Sequence, residues 1–285
     1  MATAAATQLP PLCRTLETAA DRYRLRLPER RRMAPAGEWL GKGAGSSIEY
    51  QDRKDYTPGD DVRRIDWRAY ARNDRLSIKL YREEIRPTLD VICDASASMA
   101  VGAAKREMAI AIAWFFYLLG QELHADARAW RLGARLERVP DPLHLLPAGE
   151  EASEDPVPLL LGSPVPRRGG LALFVSDFLF PVAPEALAGA LARAERAVCV
   201  QVLSDFEDAP PVGGHVRLED AESGSWRDVA LDGPTVTAYK RRLTAWREAL
   251  HARLRRQGGE LVTVRESDTA ETLLARLTRA GVIEA

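Results

Sequence analysis

The chain has 285 residues, with 40 Lys and Arg against 41 Asp and Glu and a net charge of -1. That balance excludes an overall pull toward nucleic acid or a membrane surface, and the length allows one large or two small domains. The three cysteines, Cys13, Cys93 and Cys199, have neither pairing nor metal-ligand spacing, which fits a reducing compartment rather than a disulfide framework.

Residues 1–36 become basic through Arg22, Arg24, Arg26 and Arg30 to Arg32, and read as a solvated amphipathic helix followed by a linker. No signal-peptide segment opens the chain. The longest apolar run, Met108 to Leu119, is too short to span a bilayer, so a cytoplasmic protein without membrane insertion is expected. Residues 37–87 are rich in glycine and charge. Thr57-Pro58-Gly59-Asp60 is a turn signal, and the alternation of Leu76, Ile78 and Leu80 predicts a strand. Residues 1–87 carry 18 basic against 13 acidic residues and residues 88–285 carry 22 against 28, so charge changes sign between the two parts.

From Thr88 a strand–helix rhythm sets in, and 88–285 reads as one domain. The stretch 88–93 is a buried strand. Ala103 to Leu123 is a helix that is apolar nearly all round and therefore central. Ala125 to Leu132 and Ala134 to Val139 make a strand pair, and 140–169 reads as loop. Leu171 to Val175 and Ala197 to Leu203 are buried strands around a helix at Pro184 to Arg196. A hairpin turns at Glu222 to Ser225. Val236 to Leu254 is an amphipathic helix, and Leu261 to Val264 and Thr269 to Arg279 are the last strand and helix. Apolar strands alternating with helices predict an α/β fold: a mostly parallel, Rossmann-like sheet with helices on both faces. Ligands in such sheets bind beyond the carboxyl ends of the strands.

Those ends carry the candidate chemistry. Asp94, Asp177 and Asp205 each follow an apolar strand. Asp94, Ser96 and Ser98 leave the first strand as one Asp-x-Ser-x-Ser loop. A carboxylate and two hydroxyls so close together suit Mg²⁺ or Mn²⁺, which prefer oxygen ligands. The same residues also suit a metal-free loop that caps the following helix. A hydrolase is a third reading, but no second Asp stands at Ser96 for aspartyl chemistry and no Gly-x-Ser-x-Gly elbow is present. The basic helix from Lys240 to Arg256 reads as a solvated face rather than a nucleic-acid stripe.

The Asp-x-Ser-x-Ser loop resembles the metal-ion-dependent adhesion site of von Willebrand factor A domains. A second motif extends the resemblance: Arg53, Tyr56, Pro58-Gly59-Asp60-Asp61, Arg64, Ile65-Asp66-Trp67 and Ala71-Arg72. It is similar to the motif of the bacterial "domain of unknown function 58" family, which precedes that family's von Willebrand A-like domain. Ser176-Asp177-Phe178, Glu207, the Asp220-x-Glu222-x-Gly224 hairpin and Tyr239 match as well, so the resemblance covers roughly 37–280. It implies a metal site at Asp94, Ser96, Ser98 and Asp177; Asp205, from its place after a strand, is a further strand-end acid. It also implies no established enzymatic activity and a MoxR-type AAA+ ATPase as partner, in chaperone-like assembly or metal insertion. An adhesion site takes a further Thr from a second loop. This chain has no Thr between Thr88 and Thr235, and only Ser153 and Ser163 stand where one could replace it.

The expectation is a non-enzymatic protein-binding module whose cation accepts a partner's exposed carboxylate. The alternative is a metal-independent scaffold that binds through the same sheet edge or through the 53–72 motif. In that motif Arg53, Arg64 and Arg72 are expected to pair with Asp60, Asp61 and Asp66, and Trp67 and Tyr70 are the candidate anchors.

Overall fold

The computed structural model describes residues 9–27, 48–58, 62–83, 87–144 and 155–285. The chain divides into two units, Met1–Arg26 with Pro87–Ala285, and Leu27–Arg86. Among the described residues no helix is long and apolar enough to cross a membrane.

The N-terminal part of the first unit consists of helix α1 (Pro11–Ala20) and the short strand β1 (Arg24–Leu25). The second unit holds an antiparallel pair, β2 (Ile48–Asp55) and β3 (Ser77–Glu83), with helix α2 (Trp67–Asn73) between them in sequence. The alternation at Leu76 to Leu80 predicted β3. Its partner β2 went unread, because IEYQDRKD carries charge at most positions and offers no apolar alternation.

In the first unit β4 (Thr88–Asp94), β5 (Asp126–Leu132), β7 (Leu171–Ser176), β8 (Arg196–Leu203) and β11 (Glu260–Arg265) run parallel, and β6 (Leu136–Val139) adds an antiparallel edge. The order across the sheet is β11-β8-β7-β4-β5-β6. The central strands are unbroken apolar runs because both their faces are covered. On one face Ile92, Phe174 and Cys199 pack into a cluster with α5 (Pro184–Leu191) and α7 (Gly233–Arg256) through Leu187, Leu191, Leu250 and Leu254. Side chains alternate along a strand, so Leu89, Val91 and Cys93 face the other way. There lies α3 (Ala103–Glu122), whose Gly120 sits so close to Leu89 that a Cβ would come within 2.6 Å of its Cδ2. Helix α8 (Ala270–Arg279) and strand β12 (Ile283–Glu284) complete the chain.

The N-terminal segment differs from the solvated helix expected. Cys13 and Leu16 of α1 are fully buried, the Leu12 N–H donates to Glu107 of α3, and Tyr23 meets Phe115 edge-on at 6.3 Å. β1 then pairs with β12, so the unit boundary falls at Arg26 and not at 36. The apolar stripe on α1 needed a partner that lay far along the chain. The stretch 140–169 is also not all loop. It contains α4 (Val157–Leu161), with Val157 and Leu160 in the core.

Candidate functional site

Three adjacent parallel strands deliver their ends to one edge of the sheet. β4 ends in Asp94, β7 in Ser176 with Asp177 next, and β8 in Leu203 with Ser204 next. A short helix, α6 (Asp205–Asp208), leaves β8, and a hairpin of β9 (His215–Glu219) and β10 (Trp226–Ala230) follows it.

Asp94 is buried rather than exposed on its loop. Its Oδ1 accepts the Ser96 N–H at 2.9 Å, and its Oδ2 accepts the Ser176 hydroxyl at 2.6 Å. The Ser96 and Ser98 hydroxyls bond each other at 3.0 Å. Burial first, and then the charge of Asp177, push the Asp94 carboxyl up to about 6.

Asp177 is brought beside this loop by a strained turn. Phe178 stands at φ 53, in the left-handed region uncommon for a bulky side chain. Two features hold it there. Its N–H donates to the Ser176 hydroxyl at 2.9 Å, and its ring packs edge-on against Phe174 at 5.2 Å and stacks on Trp246 at 5.9 Å. After the turn the Leu179 N–H bonds Asp177 Oδ1, which leaves Oδ2 facing inward.

That oxygen meets Lys105, a residue absent from the expectations drawn from sequence. Lys105 lies in the first turn of α3 and is fully buried. Its Nζ donates to Asp177 Oδ2 at 2.9 Å, to Glu207 Oε1 at 2.8 Å and to the Ser98 carbonyl at 3.1 Å. An ammonium has three donors, and all are engaged. Burial alone would lower its pKa, but the Asp177 and Glu207 carboxylates outweigh it and hold it above the ordinary value. The signal was present in sequence: a cation in the first turn opposes the helix dipole, and no acidic residue accompanies it there.

Glu207, quoted in sequence only as part of the resemblance, is the third acid of this cluster. Its Oε2 accepts the Ser204 N–H at 2.7 Å and its N–H donates to the Ser204 hydroxyl, a capping box that opens α6. Asp205, the acid expected there, turns away: it is exposed, and its Oδ1 accepts the Ser267 hydroxyl at 2.6 Å. The hairpin adds Glu222, whose two carboxylate oxygens accept the N–H groups of Ser98 at 2.8 Å and Ala97 at 3.2 Å.

The four residues expected to hold a metal therefore do come together, and two of them, Asp177 and Ser98, bond an ammonium. Ser98 gives its carbonyl to Lys105 and its hydroxyl shares a hydrogen bond with that of Ser96, while Asp177 is already ion-paired. Among the described residues no group of three or more His, Cys, Asp or Glu is placed to share a metal ion. As arranged, these residues do not fit a resident Mg²⁺ or Mn²⁺, whose coordination would have to displace the ammonium. The stand-in hydroxyl of Ser163 does not join them. Ser163 bonds the Leu160 and Val165 carbonyls, and Ser153 lies outside the described residues.

Beside the cluster opens a cleft of about 900 Å³ between the strand ends and the β9–β10 hairpin. Its walls are mainly apolar, with Leu179 and Phe206 left 41% and 42% exposed. Asp94, Asp177, Glu207, Glu219, Asp220 and Glu222 line it, and no Lys or Arg is among its described lining residues.

In the second unit Asp66 is buried and caps α2, accepting the N–H groups of Arg68 and Ala69, both at 3.1 Å. The Tyr56 N–H bonds the Leu76 carbonyl at 2.9 Å. Trp67 is 63% exposed and meets Tyr70 edge-on at 6.3 Å. Arg72 sits in the last turn of α2, where the dipole favours a cation. Asp60 and Asp61, and the side chains of Arg53 and Arg64, lie outside the described residues.

A family model described as "Protein of unknown function DUF58" matches residues 52–141. An uncharacterised protein of Mycobacterium tuberculosis is 30% identical over 248 residues, covering 80% of this chain and 78% of its own. A second, from Mycobacterium avium, is 30% identical over 99 residues, covering 35% of this chain and 59% of its own. Among solved structures, the conserved hypothetical protein BatB from Bacteroides thetaiotaomicron is 13% identical with a TM-score of 0.35, covering 68% of this chain and 98% of its own. An aerotolerance-related membrane protein from Bacteroides fragilis is 11% identical with a TM-score of 0.37, at the same coverage.

Proposed function

This chain belongs to the DUF58 family, and from that premise we propose that it is a non-enzymatic protein-binding module that works through the strand-end edge of its parallel sheet. The observation that carries the reading is the apolar cleft of about 900 Å³ at that edge, with Leu179 and Phe206 standing partly exposed in it. Loops on a rigid sheet are where binding residues concentrate, and an exposed apolar surface rimmed by charge is how protein-binding sites are built. The fold is proposed to be of the von Willebrand A type, on the Asp-x-Ser-x-Ser loop that leaves β4. The binding is proposed to be metal-independent, with Lys105 pairing Asp177 and Glu207.

The proposed partner is a MoxR-type AAA+ ATPase, in chaperone-like assembly or metal insertion. That partner rests on the family resemblance. The proposed setting is the cytoplasm, in line with three unpaired cysteines. The acidic, apolar cleft complements a partner segment with apolar side chains flanked by Lys or Arg. A partner that presents a carboxylate meets Glu222 already in place on the Ala97 and Ser98 N–H groups, and binds by displacing it.

A second reading, a scaffold acting through the 53–72 motif, is favoured by the exposed Trp67–Tyr70 pair. Association of the purified protein with the MoxR-type ATPase of the same genome separates the two. The double variant Leu179→Ser/Phe206→Ser should weaken it at least about tenfold without changing the melting temperature, because neither side chain is in the core. Trp67→Ala should leave it unchanged. The opposite pattern transfers the function to the motif surface, and no association in any form removes the ATPase as partner. Tighter binding by Glu222→Gln would identify the partner's contact group as a carboxylate.

A further inference from the structure

We infer that Lys105 is the resident cation of this site: a tethered ammonium in the electrostatic place of a divalent ion. The inference stands whether or not the edge binds a partner, and it is tested without one.

Parallel strands that end together bring carboxylates together. Asp94 and Asp177 are both buried, and Glu207 is drawn in by the capping box of α6. Buried carboxylates persist as ions only when they are paired and hydrogen-bonded. A bound metal is one solution, and a covalently attached cation is another. Lys105 reaches the point where the three segments meet. It contacts Ser98 from the loop after β4, Asp177 from the turn after β7, and Glu207 from α6 after β8. Each contact lies at hydrogen-bond length, and no donor remains for another group.

The substitution has a physical consequence. A divalent ion is lost when its concentration falls, and its ligand loop then loses the charge that organises it. An ammonium on α3 is present whenever the helix is folded. α3 is anchored by an almost wholly apolar body that includes Phe115, Phe116 and Leu119 in the core. The Asp94–Ser98 loop is thus fixed by the fold itself, and its order does not depend on free Mg²⁺. A divalent ion beside Lys105 would meet a like charge and would have to take Asp177 from it.

Removing the ammonium should uncover the cation site it fills. With Lys105→Ala, the three oxygens that bonded the ammonium, Asp177 Oδ2, Glu207 Oε1 and the Ser98 carbonyl, are left around one space as hard ligands suited to Mg²⁺ or Mn²⁺. The experiment is thermal melting with added Mg²⁺ or with a chelator, together with Mn²⁺ binding followed by electron paramagnetic resonance. The wild-type protein should show no change with either addition and no Mn²⁺ binding at this site. Lys105→Ala should melt lower by roughly 10 °C, since breaking a buried pair leaves carboxylates uncompensated. Mg²⁺ should raise its melting temperature in a concentration-dependent way, and Mn²⁺ should bind. Should Lys105→Ala not fold even with Mg²⁺, Lys105→Met/Glu207→Gln, which drops a cation and an anion together, decides. Recovery of a cooperative melt without metal supports charge compensation, and no recovery overturns it. The inference is equally overturned by wild-type Mn²⁺ binding that is lost in Ser96→Ala/Ser98→Ala, or by a folded Lys105→Ala that binds no Mn²⁺.

Discussion

At the scale of single residues, the strand-end edge shows how burial redistributes charge. Asp94 keeps two hydrogen bonds yet is pushed up to about 6 from an ordinary 3.8, because burial and the neighbouring Asp177 disfavour its ionised form. Between those two values the folded protein binds more protons at this position than the unfolded chain does. Stability from this group therefore falls as pH rises through the interval, and the full cost is present above about 6. The step from 3.8 to about 6 corresponds to about 3 kcal/mol. Asp94→Asn keeps an acceptor for the Ser96 N–H and a donor toward Ser176. Denaturant titrations between pH 4 and 7 should show a stability loss of that order in the wild type relative to Asp94→Asn. Parallel curves for the two proteins would show that Asp94 does not titrate in this range. Since Asp94 is buried and bonded, replacing it by Ala would disturb the fold, which makes it a poor probe of binding alone.

At the scale of elements, the opposite end of β4 is tied down by one arginine. Arg167 donates its N–H and Nε to the fully buried Asp90, its Nη1 to Asp126 at 2.5 Å, and its Nη2 to the Leu89 and Asp126 carbonyls. Trp130 Nε1 on β5 donates to the same Asp90 at 2.9 Å. This network locks the segment before β7 onto the amino ends of β4 and β5, and so sets the register that aligns Asp94 with Asp177 at the far end. Arg167→Ala leaves Asp90 buried without its main cation and should cost about 3–5 kcal/mol in chemical denaturation. A loss under about 1 kcal/mol would mean that water or Trp130 suffices to satisfy Asp90.

At the scale of the whole molecule, the main unit is discontinuous: α1 and β1 come from the N-terminus, and their partners α3 and β12 come from the body and the far end of the chain. The N-terminal segment is thus part of the core rather than an appendage. Leu16→Asp places a charge where the side chain has no solvent access, and should destabilise the unit by more than about 3 kcal/mol in thermal or denaturant unfolding. An unchanged melting curve would return α1 to the solvated helix expected from the sequence.

The sequence by itself determined the parallel α/β body, because apolar runs such as Val91 to Cys93 and Leu171 to Val175 are local signals that need no knowledge of their partners. It also determined that Asp94, Ser96, Ser98 and Asp177 would meet, since strands of a parallel sheet end on one side. Only the tertiary structure decided what sits among them. Lys105 stands in the first turn of a helix whose pattern reports burial but not direction, and Glu207, not Asp205, reaches it because the capping box fixes the orientation of α6. The pairing of the charged strand β2 and the docking of α1 were equally hidden, because each depends on contacts between residues far apart in the chain. Periodicity records which face of an element is apolar; the charge and hydrogen-bond partners of a buried site are set by which elements that face finally meets.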